Sequence, residues 1–308
     1  MEHRHSQVLS ALSIEEIGKT NWGSNLPSIL PNPTLSAEPF EFLQDLKGVH
    51  IGQTAPGLHN VKKYLKRFGY LNDVNPSAEH AYDDVFDDVL EYEIKTYQLN
   101  YGINATGSLH AETVRQMMMP RCGRADVVDS EPGKRKNDQD VLAASAPEKW
   151  SSSHLTYRFN SNSTILDKVD TETLKYAISQ AFAKWEAVSN FKFTEETNED
   201  VGADMVIGFH KGDLGDGSKF DGQMGVVAHA FPPNDGRFYF DAGDKWSTHP
   251  ESDTMDLESV AAHEIGHLLG LEHIFEQNAI MYPVFQPGST KRQVQVNDVK
   301  ALRAIYGS

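Results

Sequence analysis

His263-Glu264-Ile265-Gly266-His267-Leu268-Leu269-Gly270-Leu271-Glu272-His273 is an eleven-residue run with three imidazoles and a carboxylate in one short stretch. His263 and His267 are four residues apart. On an α-helix that spacing turns about 400° and rises about 6 Å, so both rings leave the same face. Two ligands on one rigid helix lower the cost of organising a metal site. Glu264 lies about 100° further round. That puts it close to the metal without making it a natural ligand, where a general base for an activated water belongs. Leu257, Val260, Ala261 and Ala262 before the run, and Leu268 and Leu269 within it, supply a buried helical face. Gly270 permits a left-handed residue that ends the helix. The chain can then turn back and deliver His273 as a third ligand, leaving one tetrahedral position open, as a catalytic zinc requires.

The plain alternative is a surface helix with chance histidines. Against it, Gly270 and His273 are also in register, and Met281 follows in Asn278-Ala279-Ile280-Met281-Tyr282-Pro283. That segment reads as a tight turn whose Met forms an apolar floor under the metal.

These residues resemble the metzincins, and Ala279-Ile280-Met281-Tyr282-Pro283 is similar to the matrixins, the matrix metalloproteinases, especially plant ones. The resemblance implies a zinc-dependent endopeptidase. It implies zinc ligation by His263, His267 and His273, the base role for Glu264, and the Met-turn at Met281. One departure is Ile274, where matrixins usually carry Ser directly after the third His.

Bulk properties agree. With 308 residues the chain can hold two modest domains, and 39% hydrophobic residues suffice for real cores. The net charge of −16 argues against nucleic acid and anionic membrane surfaces as partners. Cys122 is the single cysteine, so no intramolecular disulfide can form. By itself that leans towards a reducing compartment. Met1-Glu2-His3-Arg4-His5 opens no apolar h-region, so no signal peptide is expected within this chain, and no run is long enough to span a membrane. The family resemblance instead implies an extracellular protein, secreted or in the cell wall or matrix.

Along the chain, residues 1–39 are rich in Ser, Pro and Asn and read as a poorly ordered lead-in. Residues 40–123 read as a small helical domain. Val61, Tyr64, Leu65 and Phe68 recur at helical spacing, as do Val85, Phe86, Val89, Leu90, Ile94 and Tyr97, and a third short helix is expected over Leu109–Met118. Leu46-Lys47-Gly48, Gly57-Leu58, Val61 to Leu65 and Ile94 to Gln98 resemble the peptidoglycan-binding-like fold of matrixin prodomains. In that setting no wall polymer is expected to bind. Residues 124–146 read as a linker whose basic cluster Gly133-Lys134-Arg135-Lys136 is a cleavage candidate for an activating protease. An ordinary solvated loop is the competing reading.

Residues 147–308 read as the zinc protease domain. Leu155, Tyr157 and Phe159 alternate as a strand, and Leu174, Ile178, Phe182 and Trp185 define a long amphipathic helix. Short strands are expected near 191–195, 204–209, 226–231 and 237–241, the zinc helix over about 254–269, and a closing helix over about 296–305. The fold class is α+β: a metzincin catalytic domain of mixed twisted sheet and long helices, preceded by the helical prodomain. The chain is expected to be a monomer.

Pro120-Arg121-Cys122-Gly123 follows the helical domain. A thiolate is a strong zinc ligand, and one more ligand fills the open position and displaces water. The segment resembles the matrixin cysteine switch, usually Pro-Arg-Cys-Gly-Val-Pro-Asp, which implies a latent zymogen with Cys122 on the zinc. Here Arg124-Ala125-Asp126 completes it. Arg121 and Asp126 keep the buttressing pair, whereas a missing Pro and Arg124 in place of an apolar residue predict looser latency.

Asp213 to Asp241 is similar to the matrixin segment that carries a structural zinc and a calcium. Asp216 and His229 match zinc ligands, but Leu214 and Tyr239 stand at the two other His positions. Two ligands do not close a tetrahedral site, so that zinc is expected to be absent or weak. Asp221, Asp241 and Asp244 retain oxygen ligands for calcium, a solvated acidic loop being the alternative.

By the same resemblance, protein or peptide substrates add as a strand along Val226 to Phe231. Pro283, Val284 and Phe285 would form one wall of the main pocket. Ser259, small and on the face of His263, completes a deep apolar pocket. Two other readings stay open: a catalytically inactive metalloproteinase-like binding protein, and a cytosolic zinc hydrolase of small substrates.

Overall fold

Val61, Tyr64 and Leu65 bury one face of helix α1 (Leu58–Arg67) in the computed structural model, which describes residues 39–71, 83–127, 148–160, 169–215 and 219–307. A short 3-10 helix, Glu41–Leu46, precedes α1, and Gly57 supplies the left-handed residue (φ 99°) that starts it. Helix α2 spans Asp88–Asn100 and α3 spans Ala111–Met117. The expected second helix begins later than its apolar spacing suggested. The Asp87 carboxylate accepts from Leu90 N at 2.7 Å and caps the helix there. Val85 instead bridges Thr54, and Phe86 fills the core from an extended segment.

The chain then forms a two-residue strand, β1 (Arg121–Cys122), which the sequence reading did not anticipate. It joins the edge of a six-stranded sheet built from β2 (His154–Phe159), β3 (Lys192–Glu195), β4 (Met205–His210), β5 (Val226–Ala230) and β6 (Arg237–Asp241). The order is β1-β5-β6-β4-β2-β3, parallel throughout except for the antiparallel pair β5–β6. Helix α4 (Thr171–Glu186), with Asp170 as its cap, packs along helix α5 (Leu257–Leu268). Two short strands, β7 (Trp246–Ser247) and β8 (Met255–Asp256), lead into α5, and α6 (Val296–Tyr306) closes the chain. The fold is α+β, with a mixed sheet as expected.

Every residue of α5 is buried. An all-buried helix needs its polar groups satisfied from elsewhere. Asp256 caps it through Ser259 N (3.0 Å), the Trp185 indole donates to Ala262 O (2.8 Å), and the Trp150 indole donates to Leu268 O (2.7 Å). Two apolar clusters result. One lies between the sheet and α4 and α5. The other runs from the helical segment into the protease part, joining Leu43, Leu65 and Tyr97 to Leu214, Phe231, Tyr282 and Val284. Residues 37–308 form one compact unit. Chain expected to be linker bridges the two parts: Arg124 reaches Glu272 and Asp126 reaches His273, while Asp126 N and Val127 N donate to Phe68 O of the helical segment; the basic cluster 133–136 lies outside the described residues.

Candidate metal centre

Helix α5 ends in the way Gly270 predicts. Gly270 is left-handed (φ 86°), Leu271 N donates to Gly266 O (3.0 Å) and Gly270 N to His267 O (2.9 Å), the paired bonds of a Schellman ending. The reversed chain carries His273 back to the helix. Cys122, His263, His267 and His273, all buried, present one ligand atom each within 4.8 Å of one another.

The ring orientations select the metal-facing nitrogens. His263 Nδ1 lies 2.8 Å from Ile280 O and His267 Nδ1 lies 2.7 Å from Leu271 O, so both Nδ1 atoms donate. Each Nε2 is then a free acceptor pointing inwards. The two Nε2 atoms are 3.1 Å apart, near the roughly 3.3 Å that two nitrogens about 2.0–2.1 Å from one tetrahedral zinc would show. His273 Nε2 is buried with no hydrogen-bond partner. Burial pushes all three imidazoles towards the neutral form, the form that ligates. The donor set therefore fits a zinc ion.

Cys122 reaches this centre because its backbone is held on both sides. Arg121 N donates to Gly225 O (3.0 Å) and Gly123 N to Ala228 O (2.8 Å) along β5. On the other side Cys122 N donates to Pro283 O (2.9 Å) and Phe285 N to Pro120 O (2.8 Å). The segment thus lies between the β5 edge and the Pro283–Phe285 wall. A Cβ at Gly123 would stand 2.8 Å from His229 Nδ1 and 2.7 Å from Val226 Cγ1, so only glycine fits there. Arg124 N donates to Cys122 Sγ (3.4 Å). Burial raises the thiol pKa well above its usual value, and a divalent cation is the group that would favour thiolate there.

Glu264 is fully buried beside Cys122, and neither carboxyl oxygen has a partner of normal hydrogen-bond geometry. Burial raises its pKa to about 8. Beneath the histidines, Met281 is fully buried against Gly266. A Cβ on Gly266 would meet Met281 Sδ at 2.2 Å, so the absent side chain is what lets the turn close under the centre. Asp298, which sequence reasoning missed, fixes that turn by accepting from Ile280 N (3.0 Å) and Met281 N (3.1 Å). An acidic residue at the first turn of the last helix was the only available signal.

Arg121 and Asp126 pair at 2.5 Å, both side chains fully buried. Asp126 also accepts from Tyr70 and Tyr101 hydroxyls (3.0 Å each), and its Oδ1 lies 2.9 Å from His273 Nδ1. Burial alone would raise its pKa. The Arg121 charge and the His273 contact overcome that and hold it well below the usual carboxylate range. The Arg121 guanidinium stacks 3.4 Å from the Phe68 ring centroid. Arg124 binds Glu272 at 2.8 Å, a charged contact at the position expected to weaken the switch.

The other expected residues fall into three groups. Phe285 stacks edge-on to His263 at 5.0 Å and so flanks the centre, whereas Ser259 Oγ donates to Asp256 (2.5 Å) and accepts from Lys291 N (2.7 Å). Asp216 lies outside the described residues. His229 lies opposite Tyr239 in the β5–β6 pair, while Leu214 is buried beside Phe220 and Phe231. Asp221, Asp241 and Asp244 take backbone donors from Val226 (2.8 Å), Gly243 (2.6 Å) and Met224 (2.7 Å). Burial raises all three, Asp241 to about 6, and Asp244 Oδ2 is buried without a partner. Among the described residues, only the Cys122 group converges closely enough to hold an ion by side chains alone. Calcium sites also draw on backbone carbonyls, so the acidic loop does not need such convergence.

Comparison with known proteins agrees with this geometry. The family described as Matrixin matches residues 149–307, and a peptidoglycan binding domain family matches residues 54–117. Metalloendoproteinase 1 of Glycine max is 40% identical over 268 residues, covering 84% of this chain and 84% of the relative. Metalloendoproteinase 1-MMP of Arabidopsis thaliana is 39% identical over 274 residues, 85% of this chain and 72% of the relative. Interstitial collagenase of Oryctolagus cuniculus is 37% identical over 218 residues, 70% of this chain but 42% of that protein. With a zinc-compatible histidine cluster on a helix-and-turn scaffold and a matrixin match across that whole part, the chain belongs to the matrixin family and is a metalloendopeptidase.

Proposed function

We propose that this endopeptidase is made latent, with Cys122 as the lock and Glu264 as the general base. The observation that carries the reading is the convergence of the Cys122 thiol with the three histidines while its backbone fills the cleft between β5 and Pro283–Phe285. No substrate strand can add to that edge while β1 occupies it. Release of residues 120–127 would free both the fourth ligand position and the β5 edge.

His263, His267 and His273 would hold a zinc ion, which when bound would supply Lewis acidity for a water and the scissile carbonyl. Glu264 takes the proton of the attacking water and passes it to the leaving amine. The β5 edge orients an extended protein or peptide substrate, and Phe285 and its neighbours wall the pocket beside the centre. Activation requires an activating protease cutting within the linker 124–146, where the basic cluster 133–136 lies. Asp221, Asp241 and Asp244 hold calcium, and the structural zinc of relatives is lost. The protein acts outside the cell as a monomer. Among the described residues no helix is long and apolar enough to cross a membrane.

The test is bound metal per chain together with cleavage of a quenched-fluorescent peptide, using the full chain, the chain after limited proteolysis, and Glu264→Ala. The expected result is about one zinc per chain, activity that rises on processing, and none without Glu264. One zinc with no cleavage in any form would instead indicate a peptide-binding protein.

A further inference from the structure

The three histidines differ in what holds the ring nitrogen that faces away from the metal. His263 Nδ1 and His267 Nδ1 donate to the carbonyl oxygens of Ile280 and Leu271, both in the protease part. His273 Nδ1 instead lies 2.9 Å from Asp126 Oδ1, and among the described residues that carboxylate is its one hydrogen-bond partner. Both side chains are fully buried. On the same ring, Nε2 is buried with no partner and faces the other two imidazoles. Asp126 stands four residues after Cys122 and ahead of the basic cluster, so release of residues 120–127 carries the carboxylate away with the thiol.

The helical segment builds the place of that carboxylate. Tyr70 and Tyr101 donate their hydroxyls to Oδ2 at 3.0 Å each, which leaves Oδ1 for Arg121 and His273. Asn100 Nδ2 donates to the Tyr70 hydroxyl (3.1 Å), and Asp126 N donates to Phe68 O (2.9 Å). Arg121 is buried against the same oxygen, so the group offered to His273 is an ionised carboxylate rather than a neutral acid. A carboxylate that accepts the outer N–H of a metal-bound imidazole fixes its tautomer and raises its basicity, and losing such a partner costs about 10–100-fold in metal affinity.

We propose that Asp126 is a positioning residue of the metal centre, lent by the part of the chain that processing removes: it orients His273 and tightens zinc binding in the latent protein, separately from the Cys122 bond. Processing then takes two supports from the ion at once, and the ion is best loaded before the cut. The proposal rests on the latent-endopeptidase reading.

The test uses chains carrying Glu264→Ala, so that none cuts another, and Cys122→Ala, so that the thiol contributes nothing. Zinc affinity is measured by competition with a chromogenic chelator, for the full chain and for the form left after limited proteolysis and removal of the cut segment. The full chain should bind zinc about 10–100-fold more tightly. Arg121→Met together with Asp126→Leu removes both buried charges and orphans neither. It should bring the full chain down to the processed value while hydrogen exchange shows the Gly123 amide, which donates to Ala228 O, still protected. Histidine ring spectra of the zinc-loaded protein read the contact with Asp126 in place. Three Nδ1 protons should be slow to exchange with solvent before processing and two after it. Equal zinc affinity before and after processing overturns the proposal, as does a third ring proton that processing leaves unchanged, or a docked paired variant that keeps the parent's affinity. The latency reading is tested apart from this, on the cobalt-loaded full chain that retains Cys122. Absence of a thiolate-to-cobalt charge-transfer band defeats that reading, whereas a band with equal zinc affinities leaves it standing and removes only the role of Asp126.

Discussion

At the residue scale, the decisive groups are buried charges that satisfy one another. Asp126 receives Arg121, two tyrosine hydroxyls and the Nδ1 side of His273, so one carboxylate ties the Cys122 segment to the third histidine. Asp126→Asn should leave the Arg121 charge buried and unpaired, a loss of roughly 3–5 kcal/mol in the docking of the switch. It should appear as increased peptide cleavage by the unprocessed chain, with the processed form unaffected. Unchanged latency would show that thiol ligation alone holds the lock. The Arg124–Glu272 pair is different. Glu272 is half exposed, so Arg124→Ala should cost about 0–1 kcal/mol and raise unprocessed activity only slightly, an effect that added salt reproduces. Gly266→Ala should be worse than its size suggests. Its Cβ would overlap Met281 Sδ, and overpacking of roughly 1–3 kcal/mol should lower Tm and zinc affinity together.

At the element scale, the loop from Asp221 to Asp244 bears buried carboxylates whose ionisation is suppressed. Asp241 rises from 3.8 to about 6 through burial first, with the Asp221 charge adding to it. A carboxyl raised on folding contributes stability that is full below its unfolded value and lost as pH rises through its folded value. Without a cation, the loop is therefore least favoured above about pH 6, and a bound calcium reverses this. The Tm gain on adding calcium should be larger at pH 7.5 than at pH 5, and Asp244→Asn should reduce it. A pH-independent gain would place the calcium elsewhere. The neighbouring segment tells the opposite story. Leu214 sits in an apolar cluster with Phe220 and Phe231, and Arg237 stacks 3.9 Å from the Phe231 centroid, so packing holds the segment where relatives are expected to use a metal. Restoring ligands with Leu214→His and Tyr239→His should raise bound zinc from about one to about two per chain, read by metal analysis.

At the whole-molecule scale, the helical segment and the protease part share one apolar cluster and several charged contacts. One of these reaches the acidic loop. Arg67 on α1 binds Asp221 at 2.9 Å and Lys219 O at 2.6 Å. While that guanidinium occupies the carboxylate, it competes with a cation for the same oxygen. Arg67→Gln should therefore raise the calcium affinity of the unprocessed chain towards that of the processed form, measured by titration calorimetry. Equal affinities in all three would mean that Asp221 contributes nothing to cation binding.

The sequence by itself determined the local parts. The four-residue histidine spacing, Gly270 and the Met-containing turn follow from helical period and backbone freedom, and the structure reproduces them together with strands β2 to β6 to within a residue or two. Cys122 was legible because zinc chemistry has an open position for a thiolate. Tertiary structure decided what depends on contacts distant in the chain. Strand β1 exists only because β5 and Pro283–Phe285 offer it hydrogen bonds from both sides; two residues carry no strand signal of their own. Asp298 gains its role from the turn that happens to face it. The segment before α6 is placed when Lys291 N docks on Ser259 Oγ, thirty-two residues earlier. Periodicity encodes which face of an element is buried, but not which distant partner will bury it.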